Sequence, residues 1–240
     1  PYTVTDVERK ERRRNPQPPF ITSTLQRAAA NGLNFSARKT MAVAQQLYQG
    51  IDTAEGTVGL ITYMRTDSTR IAQQAREQAV EFIKAEHGEQ FVGPGVSGKK
   101  AKGAQEAHEA IRPTDIIRTP ESVRGFLDDD QYKLYDLIWR RLVSSQMAAA
   151  VFDQTVVSIS AGRYGLRATG SVLKFPGFLD VMKPEESEDE PDKALPALDE
   201  GQALRPVEVS PDQHFTKPPP RYTEATLVRE LEENGVGRPS

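Results

Sequence analysis

Prolines 16, 18 and 19, in the stretch Arg14-Asn15-Pro16-Gln17-Pro18-Pro19, set the strongest limit on how this chain can fold. Each removes a backbone donor and biases its predecessor away from the helical region. Neither a strand nor a helix continues through such a stretch, so a domain boundary belongs there. Before it, Tyr2-Thr3-Val4-Thr5-Asp6-Val7 alternates apolar and polar residues as a strand does. After it the pattern is helix-rich, until residues 151–160, 165–174 and 202–209 alternate again as antiparallel strands do. The expected fold class is therefore α+β and multidomain. A helical block, residues 15–149, is inserted into a β-rich domain formed by residues 1–14 and 150–220, entered and left through adjacent strands. A second break, Lys217-Pro218-Pro219-Pro220, precedes a helix over 224–234 with Gly235 after it. Residues 221–240 read as the start of a further domain. The chain begins in a strand and stops after Gly237-Arg238-Pro239-Ser240, which reads as a piece excised from a larger protein.

Within the block, Thr22 or Ser23 can cap a helix through Ala30. Ser36 can cap a second helix, with Met41, Ala44, Gln45 and Tyr48 at helical spacing and Gly50 as its stop. Residues 53–57 read as a loop and 58–63 as a short extended segment. Ser68 or Thr69 opens a third helix, with Ile71, Ala75, Ala79, Phe82 and Ile83 on one face and Gly88 as its stop. Residues 93–103, rich in glycine and lysine, read as a mobile loop. Residues 104–112 read as a short helix ended by Pro113. Thr119-Pro120 caps another helix, and 128–147 forms the longest.

Charge bears on the choice of partner. The net charge is −3, but residues 185–192 hold six acids and no base, and the rest of the chain sums to +3. The acidic run reads as a solvated loop. Arg9-Lys10-Glu11-Arg12-Arg13-Arg14 is a basic cluster, equally a solvated strand edge or a phosphate contact. The chain has no cysteine, which excludes a disulfide scaffold, a thiolate zinc site and a thiol nucleophile within it. No apolar run approaches the roughly 18 residues of a membrane span, and a cytoplasmic location is expected.

The chemistry concentrates in Gly59-Leu60-Ile61-Thr62-Tyr63-Met64-Arg65-Thr66-Asp67-Ser68-Thr69. Most strand tyrosines only pack their rings. Here an arginine follows two residues later, on the same side if the segment is extended. A phenol ionises at a pKa of about 10, so attack on a phosphodiester needs a base or cations that favour the phenolate. The Arg65 guanidinium can hold phosphate through paired hydrogen bonds and stabilise the charge that grows in the transition state. Asp67 can orient Arg65, or cap a helix beginning after Ser68. His108, flanked by carboxylates in Glu106-Ala107-His108-Glu109, is a candidate phosphate clamp. It is not half of a zincin pair, because Arg112 stands where the second histidine belongs.

Other motifs fail. Gly93-Pro94-Gly95-Val96-Ser97-Gly98-Lys99-Lys100 nearly matches a phosphate-binding P-loop, but Lys100 replaces the hydroxyl residue that would meet magnesium, and no ATP use is expected. Asp128-Asp129-Asp130 resembles a metal triad but sits at a helix start, where acids favour the dipole. Asn34-Phe35-Ser36 is a glycosylation sequon without a use in the cytosol.

Four stretches resemble, in family order, the bacterial type IA DNA topoisomerases. They are Pro19-Phe20-Ile21-Thr22-Ser23-Thr24-Leu25-Gln26; the Tyr63 motif; Glu106-Ala107-His108-Glu109-Ala110-Ile111-Arg112-Pro113-Thr114; and His214-Phe215-Thr216-Lys217-Pro218-Pro219-Pro220-Arg221-Tyr222-Thr223-Glu224, running on to Ser240. The resemblance implies a toroidal enzyme in which a helical, winged-helix-like domain carrying the nucleophile is inserted into a β-rich arch domain. It implies that Tyr63 attacks one DNA strand and becomes linked to the 5′ phosphate, that the other strand passes, and that the break reseals without ATP. Arg65 is then the transition-state phosphate ligand, His108 its partner on the phosphate, and Gly237 and Arg238 DNA contacts. The implied partners are single-stranded DNA, negatively supercoiled DNA and the remaining domains of the parent. The implied cofactor is magnesium, held in the parent by a Toprim domain that nothing here matches, so this chain alone is expected to bind none and to be inactive. Topoisomerase III and reverse gyrase are related possibilities. The reading from another class is a non-catalytic single-stranded DNA-binding module with Phe20, Tyr48 and Tyr63 as stacking platforms.

Overall fold

The computed structural model describes residues 2–54, 56–96, 108–182 and 194–236. Contacts divide the chain into two compact units, one formed by 1–14, 149–176 and 186–220, the other by 15–148, 177–185 and 221–240.

The first unit is an antiparallel sheet. Strands β1 (Tyr2–Arg14), β4 (Ala150–Ala161), β5 (Tyr164–Phe175) and β6 (Ala203–Leu204) lie in the order β5-β4-β1-β6. β4 and β5 form a hairpin whose two-residue turn begins at Gly162, at φ 63°, a conformation that favours glycine. Arg14 and Ala150 are register partners, so the chain leaves and re-enters this sheet on adjacent strands. β1 runs further than its first alternating residues indicate and takes in the whole basic cluster. Tyr2 and Thr3 pair with β6 and Val4 bonds with Gly201 and Gln202, while the later part of β1 is rich in charged residues, which resist pairing with other chains. Acids on the sheet engage several of its bases: Glu8 pairs with Lys10, and Glu11 with Arg13 and Lys174. Hydrogen bonds from Lys174 and Arg13 hold the Glu11 carboxyl below the usual carboxylate range. The expected strand over 202–209 shrinks to the two residues of β6. Pro206 cannot donate to a ladder, and Val207 and Val209 are solvent-exposed with no partner face to cover them.

The second unit is helical. Helices α1 (Thr22–Leu33), α2 (Ala37–Gln49), α3 (Gln73–Glu86), α4 (Pro120–Val123) and α5 (Asp129–Ser145) belong to it, with a small hairpin of β2 (Ile51–Thr53) and β3 (Gly56–Val58) after α2. Helix α5 is its spine, burying Leu134, Tyr135, Ile138, Trp139, Leu142 and Val143 at helical spacing, largely against α1, α2 and α3. Each such side chain contributes about 1.5–3 kcal/mol. The Tyr135 hydroxyl donates to the Arg118 carbonyl at 2.7 Å, and burial pushes it well above the usual tyrosine range. Capping follows local chemistry: Ser36 accepts from the Lys39 amide, Thr119 from Ser122 with Pro120 in the first turn, and Asp128 from Gln131.

Several local expectations are corrected. Thr22 and Ser23 lie inside α1, not at its cap, because their hydroxyls are taken by distant partners. The buried face of α2 is Thr40, Val43, Ala44 and Leu47, so Tyr48 points away from the core. Helix α3 begins at Gln73, not at Ser68 or Thr69. The Ser68 amide instead donates to Thr66 Oγ1 and the Arg70 amide to Ser68 Oγ, turns that compete with helix formation. Residues 108–112 are extended, not helical. Pro113 disfavours helix at Arg112, and Ile111 bridges to Phe20. Residues 53–57 are not simply a loop, since Thr53 ends β2 and Gly56 and Thr57 begin β3.

Residues 221–236, expected to open a further domain, pack here on the helical unit. Helix α6 (Glu224–Glu233) buries Ala225, Glu232 accepts from Ser23 Oγ at 2.9 Å, and Glu224 accepts from the Ala37 amide at the start of α2. The turn Gly177–Asp180, expected with the β-rich domain, also packs there, and Asp180 lies 2.7 Å from His87 Nδ1. Among the described residues no helix is long and apolar enough to cross a membrane.

Candidate active site around Tyr63

Tyr63 sits on an extended strip, residues 59–67, held on three sides. At its start, Leu60 donates to the Leu47 carbonyl at 2.8 Å. A Cβ at Gly59 would lie 2.8 Å from the Tyr48 carbonyl oxygen, so glycine permits this close approach to the end of α2. Along one edge runs the strip 110–114. Thr62 donates its amide to the Arg112 carbonyl at 2.9 Å and its hydroxyl to Ala110 at 2.7 Å, while Arg112 returns its amide to Thr62 Oγ1 at 3.0 Å. Thr114 donates through both amide and hydroxyl, to Leu60 and Gly59. At the far end, buried Thr22 donates its hydroxyl to the Met64 carbonyl at 2.8 Å and accepts from the Thr66 amide at 2.9 Å. Three stretches far apart in sequence, around residues 20, 63 and 111, thus form one bonded layer.

From Tyr63 to Asp67 burial alternates: Met64 and Thr66 are buried, whereas Tyr63 is 39% exposed and Arg65 and Asp67 are exposed. The phenol and the guanidinium therefore share the solvent side. His108 joins them: its ring centroid lies 5.9 Å from that of Tyr63, tilted by 42°. The Tyr48 ring flanks Tyr63 edge-on, at 5.4 Å and 64°. Next to His108, Glu109 pairs with the largely buried Arg112 at 2.7 Å and ties this strip down.

This arrangement brings an exposed phenol and an imidazole together over a hydrogen-bonded backbone layer, with an exposed guanidinium two residues along the strip. The family model for DNA topoisomerase matches residues 1–240. The chain belongs to the DNA topoisomerase family. Among solved structures it is similar to full-length topoisomerase I from Thermotoga maritima, at 40% sequence identity and a TM-score of 0.87. That match covers 99% of this chain and 38% of the Thermotoga maritima chain. The likeness extends to the α+β architecture, which comprises helices and an antiparallel sheet.

Measured against this topoisomerase fold, the residues singled out from sequence divide into groups. The rings of Tyr63 and His108 come together, and Arg65 is exposed two residues further along the same strip. Asp67 is exposed on the same strip, and it does not cap α3, which starts at Gln73. Gly237 and Arg238 lie outside the described residues, as do the acidic run and residues 97–107. Phe20 is fully buried with the Arg141 guanidinium 4.3 Å from its ring, so it cannot be a stacking platform. The Asp128-Asp129-Asp130 triad does not fit a metal. Asp128 caps α5, Asp129 pairs with Arg124, and Asp130 pairs with Lys39 at 2.8 Å. Among the described residues no other group of histidines and acids could hold one.

Sequence reasoning missed Thr22, Thr62 and Thr114, whose hydroxyls bond the backbone around Tyr63. Their sequence signal is slight: threonines placed next to apolar residues of the motif stretches. Replacing Thr22 with the nearly isosteric valine leaves the Thr66 amide and Met64 carbonyl short of a partner in a buried site. The expected cost is about 1–3 kcal/mol. A urea titration of Thr22→Val should show a lower midpoint at unchanged slope.

Proposed function

We propose that this chain is the nucleophile-bearing part of an ATP-independent type IA topoisomerase, and that Tyr63 makes the transient break in one DNA strand. The observation that carries the reading is the solvent-facing row of Tyr63, Arg65 and the adjacent His108 on a rigid layer, in a chain of topoisomerase sequence and fold. The Tyr63 phenol oxygen attacks a backbone phosphorus. A bond forms between Oη and phosphorus, the bond from phosphorus to the 3′ oxygen breaks, and the released 3′ hydroxyl gains the proton the phenol gives up. The phosphotyrosine ester keeps the bond energy of the phosphodiester, so the reverse attack reseals the strand without ATP. Arg65 neutralises the phosphate as its charge grows, and His108 clamps the phosphate face beside the ring. Asp67 acts in support, on the same face. Gly237 and Arg238 contact DNA near the site.

In this reading the helical block over 15–149 is the winged-helix-like nucleophile domain. Its α1–α2 pair followed by the β2–β3 hairpin supports that reading. Residues 1–14 and 150–220 belong to the arch domain, and 221–240 begin the next. Magnesium is held by residues outside this chain, and the chain alone does not cleave. The substrates are single-stranded and negatively supercoiled DNA, and the location is cytoplasmic.

The test is label transfer in the full-length enzyme. A single-stranded oligonucleotide labelled at its 3′ end is incubated with enzyme and magnesium, then denatured with detergent. A 5′-phosphotyrosine link leaves the label on the protein, on a peptide containing Tyr63. Label on any other peptide would overturn the assignment.

A further inference from the structure

The Tyr63 ring is half-exposed on an extended strip, and such a side chain ordinarily moves among rotamers in solvent. Here two rings wall it. His108 stands on one flank, and on the other Tyr48 meets it edge-on, with centroids 5.4 Å apart and planes at 64°. That is the geometry aromatic pairs prefer. Tyr48 is also not a core residue of its helix. It sits in the last turn of α2, off the buried face of Val43, Ala44 and Leu47, and is 40% exposed. Its backbone is rigidly tied to the strip that carries Tyr63. Leu60 bonds to the preceding carbonyl at Leu47, the neighbouring Gly59 allows close approach to the Tyr48 carbonyl, and Gly50 closes the helix by donating to Gln46. A ring held on a fixed element, packed against the nucleophile and left partly exposed, is placed to set a rotamer.

We propose that Tyr48 is a positioning residue: its ring holds the Tyr63 phenol in the attacking rotamer. The proposal rests on Tyr63 being the nucleophile. It concerns the ring and not the hydroxyl, since the contact between the two side chains is one of ring on ring. Misplacing a nucleophile by about 1 Å can cost about a hundredfold in rate.

The experiment uses the full-length enzyme and measures single-turnover cleavage at saturating oligonucleotide, beside the dissociation constant for the same DNA without magnesium. Tyr48→Ala should cleave about ten- to a hundredfold more slowly with unchanged DNA affinity. Tyr48→Phe should cleave at the wild-type rate. Tyr48→Leu, which retains bulk at the helix end, should fall with the alanine variant. A merely structural role would not separate phenylalanine from leucine, and thermal melts should show all three folded, as the side chain's exposure implies. A base-stacking role would instead raise the dissociation constant and leave the saturated rate alone, which would overturn the proposal. A phenylalanine variant as slow as alanine would also overturn it, by moving the role to the hydroxyl. Tyr63→Phe is run in parallel. If that variant still cleaves, the nucleophile reading falls and takes this proposal with it. If it is dead while Tyr48→Ala cleaves normally, only the proposal for Tyr48 falls.

Discussion

Tyr63→Phe in the full-length enzyme should abolish covalent capture of DNA, lowering the cleavage rate at least about a thousandfold, or about 4 kcal/mol of transition-state free energy. The substitution removes one oxygen and nothing else. The phenylalanine ring can keep its contacts with Tyr48 and His108, and the strip's hydrogen bonds, which run through the backbone and through Thr22, Thr62 and Thr114, are untouched. Folding and DNA affinity should therefore match wild type while label transfer disappears. This selectivity separates a nucleophile from a stacking platform, because base stacking on a ring survives loss of its hydroxyl. Persistent transfer of label to the phenylalanine variant would exclude Tyr63 as the attacking group.

The second large effect is on stability, at Gly93→Ala. Segment 91–96 runs against 145–148, just before β4. Gly93 donates to the Gln146 carbonyl at 2.8 Å, Val96 to Ser145, and Ala148 back to Phe91 at 2.7 Å. A Cβ on Gly93 would lie 2.1 Å from the Met147 carbonyl oxygen and 2.4 Å from its carbon. Both atoms are backbone, so no side chain can swing aside and the two segments must part. The expected cost is about 3 kcal/mol or more. With a urea slope of about 1–3 kcal/mol per molar, the midpoint should drop by about 1 M or more. Trp139, the one tryptophan in the sequence, reports on this unit. Its indole donates to the Ile116 carbonyl and packs edge-on against Phe82. Its fluorescence should follow the shift, and a midpoint equal to wild type would show that the backbone absorbs the added atom.

Gly93 also marks where sequence reading stops. The run Gly93-Pro94-Gly95 invites a mobile loop or a phosphate-binding loop, yet Gly93 to Val96 are pinned by hydrogen bonds to Ser145 and Gln146. Glycine signals that the backbone needs freedom or room. Which of the two it needs depends on what lies opposite, and here that is a carbonyl more than fifty positions away.

The same division holds across the molecule. The sequence alone sets whatever neighbours along the chain decide. It sets the caps at Ser36 and Thr119, the helix start at Asp128, the alternation of β1, β4 and β5, and the exposure of Tyr63 and Arg65. These depend on a few adjacent backbone groups and on the period of the extended chain. It also carried the motifs by which the family resemblance was recognised. Only the tertiary structure decided where α3 begins, that residues 108–112 are extended, that Tyr48 leaves the core for the site, and that Thr22 bonds to Met64 and Thr66 instead of capping α1. In each of these a hydroxyl, an amide or a ring had both a local option and a distant partner. The distant partner prevailed because a buried polar group left unpaired costs more than a local preference returns.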